Sequence, residues 1–352
     1  MAMAVPEMDI PRSFSRRPWY LAPYCLIPAA LVFLASVLGC VLAQPTLARP
    51  GSAGPSDGMP ARLEAHVRML AETLLPRDHT HPENLDRVAD YIRGQFSATG
   101  AAVTEQVYTL GGKTYRNVIA HFGPAGGKVL VVGAHYDACG ELPGADDNAS
   151  GVAGLLELSR LLAQGGSLQG IDLVAYTLEE PPYFGTNGMG SAHHASFLKQ
   201  AGRQVKAMIS LEMIGYFSAA PQSQSYPIAL LGLFYPSKGN FITVVGNFGN
   251  FGLTRKVKKA MASATDLPVR SLNAPRAVPG IDYSDHHPYW DQGFPAVMVT
   301  DTAFNRNHAY HTAQDLPERL DYRRMAAVVR GVYQATVALG QTDSPAPEPA
   351  NR

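Results

Sequence analysis

Five short stretches of this 352-residue chain carry side chains suited to holding metal ions and moving protons: His135-Tyr136-Asp137, Asp146-Asp147, Glu179-Glu180, Glu212 and Tyr310-His311. Imidazole nitrogen and carboxylate oxygen are the donors that zinc accepts. A pair of ions needs one shared carboxylate and separate terminal ligands. Two adjacent glutamates can divide the work, one binding metal while the other reaches the metal-bound water. The carboxylate of a His-x-Asp pair can fix the ring of a ligand histidine. A zinc-bound water has a pKa near about 7, so a neighbouring carboxylate can take its proton. Each stretch alone has a plainer use. A histidine at a strand end is commonly a packing residue, and Glu-Glu is usually solvated. Asp-Asp-Asn-Ala-Ser-Gly suits a helix cap, made by Asp147 or Asn148.

The elements that carry these residues argue for the chemistry. The apolar run KVLVVGA (128–134) reads as a strand buried on both faces and ends at His135. IDLVAYT (171–177) reads as a strand running into Glu179-Glu180, and VKAMISLEMI (205–214) as a strand carrying Glu212. Asp146 lies 11 residues past His135, where a helix over 151–164 begins. Helical spacing recurs at Leu63, Val67, Leu70 and Leu74, and at Leu85, Val88, Ile92 and Phe96, with Gly100 to end the second helix. Gly111-Gly112 joins strands at 102–109 and 114–121 as a hairpin. Further helices are expected at 189–200, 253–264 and 321–339, and a strand at 295–300. This alternation implies an α/β three-layer sandwich with a mixed, mostly parallel central sheet and helices on both faces. Ligands bind at the carboxyl ends of strands in such sheets, and three strand ends deliver His135, Glu179-Glu180 and Glu212 to that edge.

The remaining features bound the reading. Basic and acidic residues number 29 each, so no basic field attracts nucleic acid. Arg12, Arg16 and Arg17 precede an uncharged run reaching Ala48, whose apolar part, about 19 to 43, is long enough to span a bilayer. Residues 1–43 therefore read as a membrane anchor or signal segment that exports the rest. Retention as an anchor, cleavage near Ala43 and lipidation at Cys40 stay open. Residues 44–60 read as a Pro/Gly-rich linker, 61–341 as the folded domain and 342–352 as a disordered tail. Cys139 is the sole cysteine of the folded part, expected to be a buried, inert thiol. His66, His79, His81, His121, His193 and His194 are expected to pack or face solvent, while His286, in Ser284-Asp285-His286-His287, could line the site. Gly246-Asn247-Phe248-Gly249 lacks phosphate-loop spacing.

The stretches GAHYD (133–137), PGADDNASG (143–151), LEE (178–180), LEMIGY (211–216) and YHT (310–312) resemble, in order and spacing, the co-catalytic zinc aminopeptidase family. Its relatives include secreted bacterial aminopeptidases, glutamate carboxypeptidase II, glutaminyl cyclases and the transferrin receptor ectodomain. The resemblance covers about residues 85 to 335. It implies two zinc ions, with His135 a terminal ligand oriented by Asp137, Asp146 the bridging ligand and Glu179 the general base. Glu180 and His311 would share one ion, and Glu212, at a position that is Asp in many members, would hold the other. Tyr310 would help bind the tetrahedral oxygen. A peptide substrate follows. The rivals are a one-zinc glutaminyl cyclase, a carboxypeptidase with an inserted dimerisation domain, and a receptor-like ectodomain without activity. The carboxypeptidase needs a longer gap after the first histidine than is found here.

Overall fold

The apolar run at 128–134 forms β3 (Val129–His135), buried at every position in a computed structural model that describes residues 22–46, 51, 58–165 and 170–341. Its side chains alternate between two layers, as the pleat requires. Leu130, Val132 and Ala134 join one hydrophobic cluster, while Val129 and Val131 join the other. Burial on both faces removes any polar face, which is why the run reads as unbroken hydrophobicity rather than alternation.

Eight strands form one sheet in the order β1-β2-β4-β3-β5-β8-β6-β7. Around β3 they are β1 (Ala102–Leu110), β2 (Lys113–Phe122), β4 (Gly170–Tyr176), β5 (Val205–Glu212), β6 (Ile242–Gly246), β7 (Val269–Asn273) and β8 (Ala296–Thr300). The central β4-β3-β5-β8 block is parallel. The β1–β2 hairpin turns through Gly111 and Gly112, both at positive φ, where glycine carries no Cβ penalty. β2 meets β4 antiparallel, and β6 runs antiparallel to β8, so the sheet is mixed as expected.

One face is covered by α2 (Met59–Arg68), α3 (Pro82–Ser97), α4 (Gly151–Gly165), α6 (Phe251–Ala264) and α8 (Tyr322–Gln341). The other is covered by α5 (Gly190–Gln200) and α7 (His286–Asp291). The chain leaves β3 through α4 to β4 on one side, then crosses to β5 on the other side of β3. Strand order reverses there, which opens a crevice beyond the ends of β3 and β5. A buried ion pair ties α2 to α4. Arg62 donates to both oxygens of Glu157, a glutamate with no exposed surface on an otherwise apolar helix face.

The chain divides into two units, Met1–Val41 and Leu42–Arg352. The first carries most of the uncharged helix α1 (Ala22–Ala43), whose side chains are described only in part. Among the described residues no helix is long and apolar enough to cross a membrane. Arg12, Arg16 and Arg17, positions 47–50 and 52–57 of the expected linker, and the tail from 342 lie outside the described residues. Two boundaries differ from expectation. α2 begins at Met59, with Pro at its first turn, rather than at 61. The start of the expected linker is docked: Lys258 Nζ donates to the carbonyls of Ala43 and Gln44, and Gln44 Nε2 donates to Phe251 O. Two five-residue strands, β6 and β7, escape the sequence reading altogether.

Candidate metal centre

His135 is the last residue of β3 and has no exposed surface. Its Nδ1 faces the Asp137 main-chain oxygen at 3.2 Å and Asp137 Oδ1 at 3.5 Å. Its Nε2 points into a ring of carboxylates, 3.4 Å from Asp147 Oδ1, 3.4 Å from Glu212 Oε2 and 3.7 Å from Glu179 Oε2. The Asp137 carboxylate also grips the backbone, for its two oxygens accept the N–H groups of Glu179 and Glu180 at 3.1 and 3.0 Å. This clamp fixes the loop after β4 against the end of β3.

Glu212 ends β5, and its Oε2 accepts a hydrogen bond of 2.7 Å from Ser284 Oγ, which also meets Ser210 Oγ at 2.8 Å. On the far side, His311 Nε2 lies 3.1 Å from both Asp147 Oδ2 and Glu180 Oε2. The Tyr310 ring stacks on the His311 ring, with centroids 3.8 Å apart. Backbone strain collects at the same places. Leu178 before Glu179, Met213 after Glu212 and His311 itself all sit at φ between 50° and 60°. That region costs a non-glycine residue roughly 1–3 kcal/mol and persists where surrounding structure enforces it.

The expected role of Asp146 is corrected by this geometry. Its carboxylate turns away from both histidines and accepts Gly215 N at 3.0 Å and Asn307 Nδ2 at 2.9 Å. Burial, and then the neighbouring Asp301, hold it well above the usual carboxylate range. Asp147 is the residue that faces the cluster. Its backbone leaves helical geometry at φ −104°, ψ 96°, and successive side chains in such an extended stretch point to opposite sides. The capping role falls to Asn148, whose Oδ1 accepts from Gly151 N and Met213 N.

Two donor groups result. His135, Asp147 and Glu212 form one, and Cys139, Glu180 and His311 form the other, with donor atoms within 4.8 Å of one another in each. Asp147 presents Oδ1 to the first histidine and Oδ2 to the second. Despite these short separations, His135 Nε2, His311 Nε2 and Glu180 Oε1 are buried with no hydrogen-bond partner. Lone pairs that converge without bonding one another suit a cation between them.

The electrostatics agree. Burial, and then Asp147, push Glu180 up to about 8, and burial likewise raises Glu179 and Glu212. Against the pull of burial, contacts with Asp147 and Glu180 raise His311 to about 10. Against burial too, the two histidines hold Asp147 below the ordinary carboxylate range. Several buried carboxylates in one place need positive charge that two imidazoles do not supply in full. The donor types and their orphaned atoms fit zinc.

Arg77 does not stand out in the sequence, since Leu-Pro-Arg-Asp looks like a surface turn. It is fully buried, and burial lowers it to about 10. It donates to the carbonyls of Leu70, Tyr136, Pro143 and Gly144. It thereby holds the loop that carries Asp147. Gly144, at φ 53°, permits this approach, because a Cβ there would lie 2.8 Å from Arg77 Nη2 and 2.1 Å from Asp147 O. Arg77→Ala is expected to leave these carbonyls unpaired, destabilising the protein by about 3 kcal/mol or more and lowering Tm by about 5–10 °C in a thermal melt. An unchanged Tm would remove Arg77 from this role.

Four of the other histidines make packing or hydrogen-bond contacts away from the donor groups. His66 meets Tyr91 Oη, His121 meets Asp172, His193 stacks on Tyr108 and His194 meets Tyr289 Oη. His286 contacts Ile281 O and packs edge-on against Trp290, whereas Ser284 bonds Glu212 and the buried Asp285 lies close enough to feel His135 and Glu212. Cys139 is half-buried at the site's edge, not sealed in the core.

Residues 117–336 match the family model of Peptidase family M28. The chain is 49% identical over 286 residues to YfbL, an uncharacterized protein of Escherichia coli (strain K12), over 79% of this chain and 88% of that one. It is 27% identical over 223 residues to leucine aminopeptidase 1 of Ajellomyces dermatitidis (strain ER-3), over 59% of this chain and 52% of that one. The chain thus spans about half the length of that aminopeptidase. Its fold is similar to that of LapB from Legionella pneumophila, with a TM-score of 0.63 at 21% identity, over 87% of this chain and 81% of that one.

Proposed function

The chain belongs to peptidase family M28, and we propose that it is a metal-dependent aminopeptidase that removes the first residue of peptides using two zinc ions. The observation that carries this reading is Asp147, with one carboxylate oxygen turned to each of two donor groups. His135 and Glu212 would complete one zinc site, and Glu180 and His311 the other. Zinc so held supplies Lewis acidity, polarising the scissile carbonyl and making a water acidic enough to lose its proton near neutral pH.

The protein's own groups do the rest. Glu179 stands outside both donor groups, its Oε2 3.7 Å from His135 Nε2. It takes the proton of the attacking water and returns it to the departing amine. Asp137 orients His135 and holds the backbone of Glu179. Tyr310 keeps its phenol proton, because burial and then the surrounding carboxylates raise it far above the ordinary range. It can therefore donate to the carbonyl oxygen as charge develops there.

Beside Glu212 and Tyr310 lies a cavity of about 80 Å³, walled by Leu231, Phe241, Val245, Leu272, Ile281 and Met298. It suits an apolar N-terminal side chain. Met298→Trp should fill it and shift the ratio of kcat/KM for leucyl over alanyl anilide by about tenfold or more toward alanine. An unchanged ratio would remove this cavity from substrate recognition.

A glutaminyl cyclase working with one zinc is the alternative reading, and the second donor group weighs against it. A receptor-like ectodomain has no need of the complete donor set. Export, with the N-terminal segment as a membrane anchor, is supported by Arg12, Arg16 and Arg17 before the uncharged run. Metal content of the full chain, measured beside release of an N-terminal residue, tests the central reading. Two zinc ions with chelator-sensitive hydrolysis are expected. One zinc, with cyclisation of N-terminal glutamine and no hydrolysis, would replace it with the cyclase.

A further inference from the structure

Cys139 follows His135 by four residues, in a loop anchored at Asp137 and Ala138. Ala138 N donates to Arg77 O, and the Asp137 carboxylate is held by two backbone N–H groups. The Cys139 sulfur lies within 4.8 Å of donor atoms of Glu180 and His311. Donors sharing one tetrahedral zinc lie roughly 3.3–3.8 Å apart, so closure asks for a shift of at most about 1.5 Å. Between them is a void of about 10 Å³ lined by Cys139, Gly144, Asp147, Glu180, His311 and Asp315, among others. That is room for one water-sized body. Glu180 borders this void, is 4% exposed, and its Oε1 has no hydrogen-bond partner. The other donor group differs in kind: it is made of nitrogen and oxygen alone, with Glu212 fixed by Ser284.

We propose that Cys139 is a thiolate donor to the ion held by Asp147, Glu180 and His311, making that position chemically softer than its neighbour. This rests on the two-ion reading above. On binding, the sulfur–hydrogen bond breaks, the proton leaves to solvent and a sulfur–metal bond forms. Thiolate donors favour zinc, cobalt and softer ions over magnesium and manganese. The two positions should therefore differ in metal preference. The Cys139 sulfur should also be shielded from alkylation when the ion is present.

The test is cobalt substitution of the full chain, stripped with chelator and reloaded. Two cobalt ions per chain, with an intense thiolate-to-cobalt absorption in the near ultraviolet, are expected. Cys139→Ser should abolish that absorption, keep the weaker visible bands and lower the affinity for one ion about 10–100-fold. Should that variant fail to fold, alkylation of the native chain decides. Iodoacetamide should label Cys139 at least about tenfold more slowly with metal than without, by peptide mass mapping. Two bound cobalt ions with no near-ultraviolet band and no protection would overturn the cysteine's role and leave the aminopeptidase reading intact. No retained cobalt would overturn both.

Discussion

Glu179→Gln is expected to lower kcat/KM for an aminoacyl anilide by at least about 10³-fold while zinc content stays at the wild-type value. Glutamine has the shape of glutamate, and the backbone N–H of residue 179 still bonds Asp137, so the loop after β4 keeps its place. The carboxylate belongs to neither donor group, so its loss removes no ligand. On the proposed mechanism, what disappears is the group that would accept a proton from water and pass it to the amine. Steady-state kinetics and metal analysis of the same sample decide the matter. Activity within tenfold of wild type would take the proton-transfer role from Glu179, and a loss of zinc would make it a ligand.

Neighbouring substitutions at 146 and 147 should have opposite signatures. Asp147→Asn replaces one of two acceptor oxygens with an NH₂ group, which cannot face an ion. Zinc content is expected to fall to about one ion per chain or fewer, with a loss of activity of about 10³-fold or more. Asp146→Asn should keep both ions. Its oxygens bond Gly215 N and Asn307 Nδ2, and it lies beside Asp301, so the expected effect is a Tm lower by a few degrees. The reverse outcome would return the bridging position to Asp146. The pair is worth making together because both side chains are buried and acidic, so burial alone cannot tell them apart.

That adjacent pair marks where sequence stops being sufficient. The parallel strands were legible because burial on both faces leaves an unbroken apolar run, as at Leu130 to Ala134, and because His135, Glu179-Glu180 and Glu212 sit at their ends. Gly111-Gly112 announced its hairpin. Resemblance located the Asp-Asp stretch, but which carboxylate turns inward depends on φ and ψ at Asp147, and one residue of twist reverses the answer. β6 and β7 are five residues each, and Thr243, Arg270 and Ser271 interrupt their apolar runs, where the equally short β8 has an unbroken one. Arg77 and Glu157 carry no signal in the sequence, because the groups that fix them are mostly distant: Tyr136 lies 59 residues from Arg77, and Arg62 lies 95 from Glu157. Only tertiary structure shows that Arg77 meets carbonyls and Glu157 meets Arg62.

The placement of Arg77 also separates the stretch that matches the family model from the stretch that must fold together. The match to the family model begins at residue 117, yet Arg77 braces the Asp147 loop from 40 residues upstream of it. Arg62 reaches Glu157 from further upstream still. A fragment cut to the matched stretch would keep every residue of the two donor groups and lose the bracing that sets their spacing. The smallest autonomous piece of this enzyme should therefore begin near Met59, where α2 starts, well ahead of the match to the family model.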